Sequence, residues 1–223
     1  MKYLLKSLLS LTSYRRFVFP RWRYNFSASD LLFMCNCLED VRDISGSVLE
    51  IGCEYGETTL FLNHYMTDRN INLRYFCIDT FDGFTEDDLN YEVEVRNKPR
   101  NNLLGFRNNS KKWFQRTLSD AGYDSVQVFQ KDASEFDFLL VAPVCFALLD
   151  VDLYKPIQAC LPRLYSVLSP GGVIIVDDCD PADPDYDGAF YAYMEFMESR
   201  NLPVSIFGRK LGIIRKDSTS EGA

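Results

Sequence analysis

The sequence contains a single histidine, His64, among its 223 residues, and none of its seven cysteines belongs to a CxxC pair. Zinc sites need closely spaced cysteine and histidine ligands, so these absences argue against a zinc protein. Basic residues are also few, because 24 Lys and Arg stand against 32 Asp and Glu, for a formal net charge of −8. Nucleic-acid binding requires a basic surface, so we expect no nucleic-acid partner.

Most of the seven cysteines lie inside apolar runs. We therefore predict reduced, buried thiols and a cytoplasmic location rather than a disulfide framework. The chain has no internal repeat or low-complexity tract, and its 47% hydrophobic content suits one folded domain with a sizeable core. We predict that this single domain covers 27–215 and that a disordered polar tail covers 216–223.

The first 26 residues form a basic, amphipathic extension with an apolar stripe at Leu4, Leu5, Leu8 and Leu9. The stripe is too short, and too interrupted by Lys6, to span a membrane, and the small-residue cleavage site of a signal peptide is missing. We expect a helix that packs on the domain or pairs two subunits as a homodimer. An interfacial membrane helix and a targeting segment are the alternatives.

Short apolar runs alternate with helical patterns along the rest of the chain. The runs predict strands at 47–51, 73–78, 126–129, 145–149, 172–176, 204–207 and 211–214, and the helical patterns lie at 27–40, 58–67, 110–121, 155–167 and 188–199. This alternation predicts an α/β, Rossmann-like doubly wound sheet of seven mostly parallel strands. The last two strands are joined by 208–210 alone, which is too short for a parallel crossover and predicts an antiparallel edge hairpin.

The stretch VLEIGCEYGETTL, residues 48–60, joins the first strand to the next helix. Gly52 and Gly56 allow a tight turn and a close approach of backbone to a ligand, and amides at the helix start can donate hydrogen bonds. A dinucleotide site would instead need G-x-G-x-x-G. Because Glu50 and Glu54 would repel a pyrophosphate, the loop favours a cationic or zwitterionic ligand.

Acidic residues follow most of the predicted strands. Asp79 ends the second strand, where an acid grips ribose hydroxyls in nucleotide-binding α/β folds, and Asp132 follows the third. Asp150, Asp177 and Asp178 follow two later strands and should converge at one rim. Clustered carboxylates repel unless they are protonated or bridged by a cation, and such oxygen ligands suit Mg²⁺ or Mn²⁺. The alternative is that these residues only cap helices or form turns.

Several motifs together resemble a known family. VLEIGCEYGETT, IDTFDGF, LLDVDLY and LSPGGVIIVDD resemble the motif series of class I S-adenosylmethionine-dependent methyltransferases. More narrowly, DTFDGF, DVDLY and GGVIIVDD are similar to the macrocin O-methyltransferase family, which methylates sugar hydroxyls of natural products with help from Mg²⁺. The resemblance covers roughly 27–215 and depends on the order and spacing of the motifs.

The resemblance implies a role for each matching residue. The loop around the methionine part of the cofactor would be formed by Glu50, Gly52 and Gly56, the ribose hydroxyls would be bound by Asp79, and the adenine would be contacted by Asp132 and Ala133. Further cofactor-binding residues would be Cys53, Thr58 and Thr80. The metal ligands would be Asp150, Asp177 and Asp178. The chain departs from the family at Val151, where Gly is common, and at 155–156, where a hydroxyl residue would follow the tyrosine.

The implied function is Mg²⁺-dependent O-methylation of a small-molecule or glycan acceptor, namely a hydroxyl of a sugar, a polyhydroxylated natural product or a polysaccharide. Our first choice for the general base is Asp150, with Asp152 or an acid among residues 86–88 as alternatives. A catechol-type enzyme would place a lysine where this chain has Leu153. An inactive cofactor-binding scaffold and a nicotinamide dehydrogenase are further alternatives.

The segment 85–109 is polar and longer than ordinary connections. We predict an irregular lid or acceptor-recognition loop beside the ligand rim. A surface excursion without function is the alternative. His64 follows the glycine loop on a helical pattern, and we predict that it is structural.

Overall fold

The computed structural model describes Thr12 and residues 23–218. Its elements are α1 (Ala28–Asp40), β1 (Ser47–Ile51), α2 (Glu57–Asp68), β2 (Arg74–Asp79), α3 (Glu86–Glu94), α4 (Lys111–Asp120), β3 (Gln127–Gln130), β4 (Val144–Leu149), α5 (Tyr154–Val167), β5 (Leu168–Val176), α6 (Gly188–Ser199), β6 (Ile206–Phe207) and β7 (Leu211–Arg215). Each predicted strand and helix of the domain is present, with ends shifted by a few residues. The predicted N-terminal helix and its homodimer contact lie outside the described residues.

The strands of the described chain form one seven-stranded sheet in the order β3-β2-β1-β4-β5-β7-β6. Strands β1 to β5 are parallel, and β7 runs antiparallel to both β5 and β6. The predicted doubly wound sheet with an antiparallel edge hairpin is therefore confirmed. Because β1 pairs with both β2 and β4, the strand order reverses there, and the carboxyl ends of β1 and β4 border the crevice where such folds bind ligands.

Both faces of the sheet are buried, as parallel sheets require. Successive residues of β1 point to opposite faces. Val48 packs in the core that includes residues of α1, α2 and α4, whereas Leu49 and Ile51 pack in the core formed with α5 and α6. Glu50 interrupts this apolar pattern with a carboxylate that is only 1% exposed. A buried acid at the end of the central strand requires a partner or a proton.

The segment 85–109 is more ordered than predicted, because it contains α3 and a 3-10 turn at Arg100–Leu103. Thr85 caps α3 by accepting a hydrogen bond from the amide of Asp88 at 3.2 Å. Acidic residues in the first turn also stabilise α3, because they interact favourably with the positive end of the helix dipole. Leu89 and Leu103 are fully buried against Leu153. The segment is therefore not irregular, because a helix cap and two buried leucines stabilise part of it. Its role as a lid or acceptor-recognition loop stays a prediction.

Candidate active site

A cavity of about 370 Å³ opens at the carboxyl ends of the parallel strands. Its glycine-loop side, defined here as Gly52, Asp79, Thr80, Asp132 and Ala133, follows β1, β2 and β3. Its acid side, defined as Asp150, Asp152, Asp177 and Asp178, follows β4 and β5. The sheet thus brings together residues of the two sides that lie up to 126 positions apart in the sequence, from Gly52 to Asp178.

Gly52 lies at the point where the two sides touch. Its φ of +84° belongs to the left-handed region that favours glycine, and a Cβ added there would overlap the carbonyl oxygen of Asp150. Gly56 also has a positive φ, of +85°, and a Cβ there would lie 2.9 Å from the ring of Phe114. Glycine at 52 therefore permits close contact between the end of β1 and Asp150, and glycine at 56 permits packing of the start of α2.

The carboxylate of Asp79 organises the glycine loop. Its Oδ2 accepts the amides of Cys53 at 2.7 Å and Glu54 at 3.0 Å, and its Oδ1 accepts the amide of Phe81 at 2.6 Å. A carboxylate has about four acceptor positions, so about one remains for a ligand. The sequence predicted a ribose-binding role for Asp79, and the structure adds a role that was missed, because this acid ties the loop after β1 to the end of β2.

The residues predicted to bind the cofactor divide into three groups. Gly52, Asp79, Thr80, Asp132 and Ala133 line the main cavity, Glu50, Cys53 and Thr58 line a small side pocket that adjoins it through Gly52, and Gly56 lines neither. Thr80 donates its hydroxyl to the carbonyl of Gly83 at 2.7 Å, and Asp132 accepts the amide of Ser134 at 2.8 Å. Gly56 therefore supports the site from outside, as the N-cap of α2.

Glu50 lines the side pocket. Its Oε2 accepts the hydroxyl of Tyr75 at 2.6 Å. Burial raises the pKa of this carboxyl to about 7, partly countered by the hydrogen bond from Tyr75. The carboxyl of Glu50 can therefore carry a proton near neutral pH when no cation is close.

Three carboxylates of the acid side converge. One oxygen each from Asp150, Asp177 and Asp178 lies within 4.8 Å of the others. Burial, followed by the nearby charge of Asp178, raises the pKa of Asp177 to about 7. Burial and the charge of Asp177 also hold the pKa of Asp150 well above its usual range. Such mutual repulsion is relieved when a cation is bound.

Lys210 approaches this cluster from the hairpin between β6 and β7. Its Nζ lies 2.7 Å from Oδ2 of Asp177 and 3.3 Å from Oδ1 of Asp178. The other oxygen of Asp177, Oδ1, is buried and has no hydrogen-bond partner within the described chain. Burial of a carboxylate oxygen without a partner costs folding free energy. Lys210 contacts the other oxygen of Asp177, so Oδ1 is available to a bound cation.

Backbone strain concentrates around the cavity. Asp152 and Asp178 have φ of +60° and +55°, and Glu54 and Phe106, which also line it, have φ of +42° and +65°. Left-handed backbone at residues other than Gly and Asn costs about 1–3 kcal/mol each and persists only where the surroundings impose it. Burial and the nearby charge of Asp178 raise the pKa of Asp152 well above its usual range.

The segment 85–109 forms one wall of the cavity, and ion pairs between side chains hold it against neighbouring elements. Glu92 accepts the amide of Tyr154 at 2.9 Å and pairs with Arg96 at 2.8 Å. Arg96 and Lys98 both pair with Asp187, at 2.7 and 2.6 Å. Since Glu92 is 1% exposed, the network joins α3 firmly to α5 and to the loop before α6.

Sequence reasoning missed several residues that line the cavity, among them Asn25, Phe84, Phe106, Lys131 and Lys210. The position of Lys210 could have been predicted. Because β7 runs antiparallel to β5, β7 begins at the end of the sheet where β5 ends. Val176, the last residue of β5, pairs with Gly212 near the start of β7. The hairpin loop must therefore lie at the same rim as the acids.

His64 lies elsewhere. Its Nδ1 is 2.7 Å from the hydroxyl of Tyr123, and it lines a separate surface groove rather than the main cavity. This placement supports the predicted structural role.

A second set of potential metal ligands is formed by Glu50, Cys53 and Cys77, all of them buried. Burial raises the pKa of both thiols. Because metals bind the thiolate form, this set is poorly suited to a metal, and we assign it to the core beneath the glycine loop. All seven cysteines are free and buried.

The sheet order, the glycine loop after β1 and the acids at the strand ends define a class I methyltransferase fold. The macrocin O-methyltransferase (TylF) family model matches residues 28–207, and the chain belongs to this family of S-adenosylmethionine-dependent O-methyltransferases. A comparison with curated proteins finds no match. Within the described residues, every helix is too short or too polar to cross a membrane.

Solved structures share this fold at low identity. The O-methyltransferase NovP is 18% identical, with a TM-score of 0.68 over 84% of this chain and 79% of that chain. CalS11, a calicheamicin methyltransferase also described as a TDP-rhamnose 3'-O-methyltransferase, is 18% identical, with a TM-score of 0.66 over 94% and 85%. Cofactor-bound Rv0187 from MTB is 17% identical, with a TM-score of 0.59 over 97% and 91%.

Proposed function

We propose that this protein transfers a methyl group from S-adenosylmethionine to a hydroxyl of a sugar or another polyhydroxylated acceptor, with a divalent ion, Mg²⁺ or Mn²⁺, at Asp150, Asp177 and Asp178. One observation carries the metal part of this proposal. Oδ1 of Asp177 is buried without a partner in the described chain, and it belongs to an all-oxygen cluster that faces the cavity. Oxygen ligands of this kind suit these two ions.

The cofactor is assigned to the glycine-loop side. Gly52 brings backbone close to the ligand, and the remaining acceptor position of Asp79 is available to a ribose hydroxyl. Asp132 and Ala133 lie at the end of the sheet where the adenine would extend. Glu50 and Thr58 line the side pocket and would contact the amino-acid end of the cofactor.

The chemistry divides between the bound groups and the chain. The sulfonium of the cofactor supplies an activated methyl group, and a divalent ion, when bound, lowers the pKa of the acceptor hydroxyl. The residues must hold the two reactants in line and accept the hydroxyl proton. We assign that proton to Asp150, with Asp152 as the alternative, because both carboxyls line the cavity.

Two alternatives have less support. A catechol-type enzyme would use a lysine at position 153, but Leu153 is fully buried, and the lysine that does reach the acids, Lys210, is engaged by Asp177 and Asp178. An inactive scaffold would not need an intact set of three acids. The free, buried thiols also fit the cytoplasmic location that the sequence predicts.

The test measures cofactor and metal binding separately. S-adenosylhomocysteine is titrated calorimetrically, and Mn²⁺ uptake is followed by electron paramagnetic resonance, for the wild type, Asp177→Asn and Glu135→Gln. Glu135 is an exposed acid outside the cavity and serves as the charge-matched control. We expect all three proteins to bind S-adenosylhomocysteine and only Asp177→Asn to lose Mn²⁺ affinity, by about 100-fold. Absence of S-adenosylhomocysteine binding to the wild type would contradict the cofactor assignment, and equal Mn²⁺ uptake by all three would contradict the metal site.

A further inference from the structure

The cavity is strongly acidic. Among the described residues, its lining includes eight carboxylates and only two ammonium groups; the acids are Glu54, Asp79, Asp88, Asp132 and the four residues of the acid side, and the bases are Lys131 and Lys210. The charge of Lys210 is already shared between Asp177 and Asp178. Lys131 is exposed and lies on the glycine-loop side, next to Asp132. Neither lysine is therefore free to receive an anionic acceptor on the acid side.

The proposed ligands leave this imbalance in place. With every carboxyl counted as ionised, the two lysines, a divalent ion and the single net positive charge of the cofactor together offset about five of the eight acidic charges. Asp88 and Asp152 lie outside the group assigned to the ion, and Asp88 accepts the hydroxyl of Thr85, at 2.7 Å. On the acid side, an acceptor that enters the loaded cavity therefore meets carboxyl groups and no unpaired cation among the described residues.

Another part of the cavity wall is aromatic rather than basic. The ring centroid of Phe84 is 5.4 Å from that of Phe106 and 6.4 Å from that of Tyr186, and all three residues line the cavity. The faces of such rings are electronegative and attract cations and polarised C–H groups. Arg100 and Arg107, on the segment 85–109, both pair with Glu86 and do not line the cavity.

We propose that this site selects an acceptor without anionic groups near the methylated hydroxyl, and that it favours a sugar with an ammonium group over a neutral sugar and a neutral sugar over a phosphorylated one. This proposal rests on the proposed function. The proposed preference differs from that of an enzyme that acts on a nucleoside diphosphate sugar. Among the described residues that line the cavity, no unpaired cation on the acid side is available to bind a phosphate.

The test compares three pyranoses of the same size, namely glucosamine, glucose and glucose 6-phosphate. Their binding to the wild-type protein loaded with S-adenosylhomocysteine and Mg²⁺ is measured at pH 7 by ligand-observed NMR titration. We expect glucosamine to bind at least tenfold more tightly than glucose 6-phosphate, with glucose between them. The order should persist without Mg²⁺, which excludes chelation of the phosphate as its origin.

A charge variant tests the cause of the order. Asp88→Asn keeps an oxygen that can accept the hydroxyl of Thr85 and removes one acidic charge, so the ratio of the glucosamine and glucose 6-phosphate affinities should fall about threefold. Glu135→Gln removes the same charge outside the cavity and should leave the ratio unchanged. Any other order, including equal affinities or no binding by all three sugars, overturns the proposal. Loss of S-adenosylhomocysteine binding would instead overturn the proposed function, so the two failures are distinguishable.

Discussion

Asp79 and Asp177 stand at the ends of parallel strands in the same sheet, yet their surroundings differ. Asp79, on the glycine-loop side, accepts three backbone amides. Asp177, on the acid side, has one oxygen on Lys210 and the other without a partner in the described chain, with two further carboxylates nearby. The carboxylate of Asp79 is satisfied by backbone amides of the protein, whereas one oxygen of Asp177 has no partner among the described residues. The first acid stabilises the loop after β1, and the second is the proposed metal ligand.

Gly52 joins the two sides, so its replacement should have the largest effect. Alanine at this position would combine a left-handed backbone with an overlap on the carbonyl oxygen of Asp150. We expect Gly52→Ala to lower the free energy of unfolding by about 3–5 kcal/mol and to abolish binding of both S-adenosylhomocysteine and Mn²⁺. Urea denaturation and the two binding assays measure these losses.

Gly122 offers a matched control. Its φ is +83°, almost the value of Gly52, but a Cβ added there meets nothing within 4 Å. Gly122→Ala should therefore cost only the backbone strain, about 1 kcal/mol, and leave binding intact. Equal losses in the two variants would show that the contact between the two sides is unimportant.

Replacement of Asp79 should affect one side only. An Asn side chain would offer a single oxygen and turn its NH₂ group towards a backbone amide that now donates to a carboxylate. We expect Asp79→Asn to weaken S-adenosylhomocysteine binding by about 100-fold and to leave Mn²⁺ uptake unchanged, the reverse of the result for Asp177→Asn. Asp82→Asn, at an exposed neighbouring acid, is the control and should bind both ligands like the wild type. A parallel loss of both ligands in Asp79→Asn would erase the distinction between the sides.

Glu50 allows a test of stability against pH. Because burial raises its pKa to about 7 from 4.5, the folded state holds more protons than the unfolded chain between these values, and the free energy of unfolding falls as pH rises through this window. Glu50→Gln removes that penalty and should be more stable than the wild type by about 2–3 kcal/mol at pH 8, with little difference at pH 4. Urea denaturation of both proteins at the two pH values measures the difference. A constant difference between them would contradict the raised pKa.

The sequence was sufficient to predict the sheet, its parallel core and the edge hairpin, because hydrophobic periodicity and connection length determine them locally. The location of the acids was also predictable, since residues that directly follow parallel strands all lie at the same end of the sheet. Asp150, Asp177 and Asp178 came together in the structure as expected. Their binding of a metal remains a prediction.

Two features depended on contacts that no local pattern specifies. The bonds from Asp79 to the amides of Cys53 and Glu54 join segments about 25 positions apart, and only the register of β1 and β2 shows that they are possible. The order of 85–109 depends on the burial of Leu89 and Leu103 against Leu153, a contact across the cavity wall. Polar composition alone suggested a loop there, because the few buried positions are too widely spaced to produce a periodic signal.

The smallest effect is expected at His64, which belongs to neither side of the cavity. Its ring bonds to Tyr123 at the surface, so His64→Gln should change the rate of methyl transfer by less than about twofold and leave the pH dependence of that rate unchanged. Steady-state rates with a competent acceptor between pH 6 and 9 provide the measurement. A loss of more than about tenfold would mean that the histidine, rather than an acid beside Asp177, removes the proton, and the assignment of proton removal to Asp150 or Asp152 would have to be abandoned.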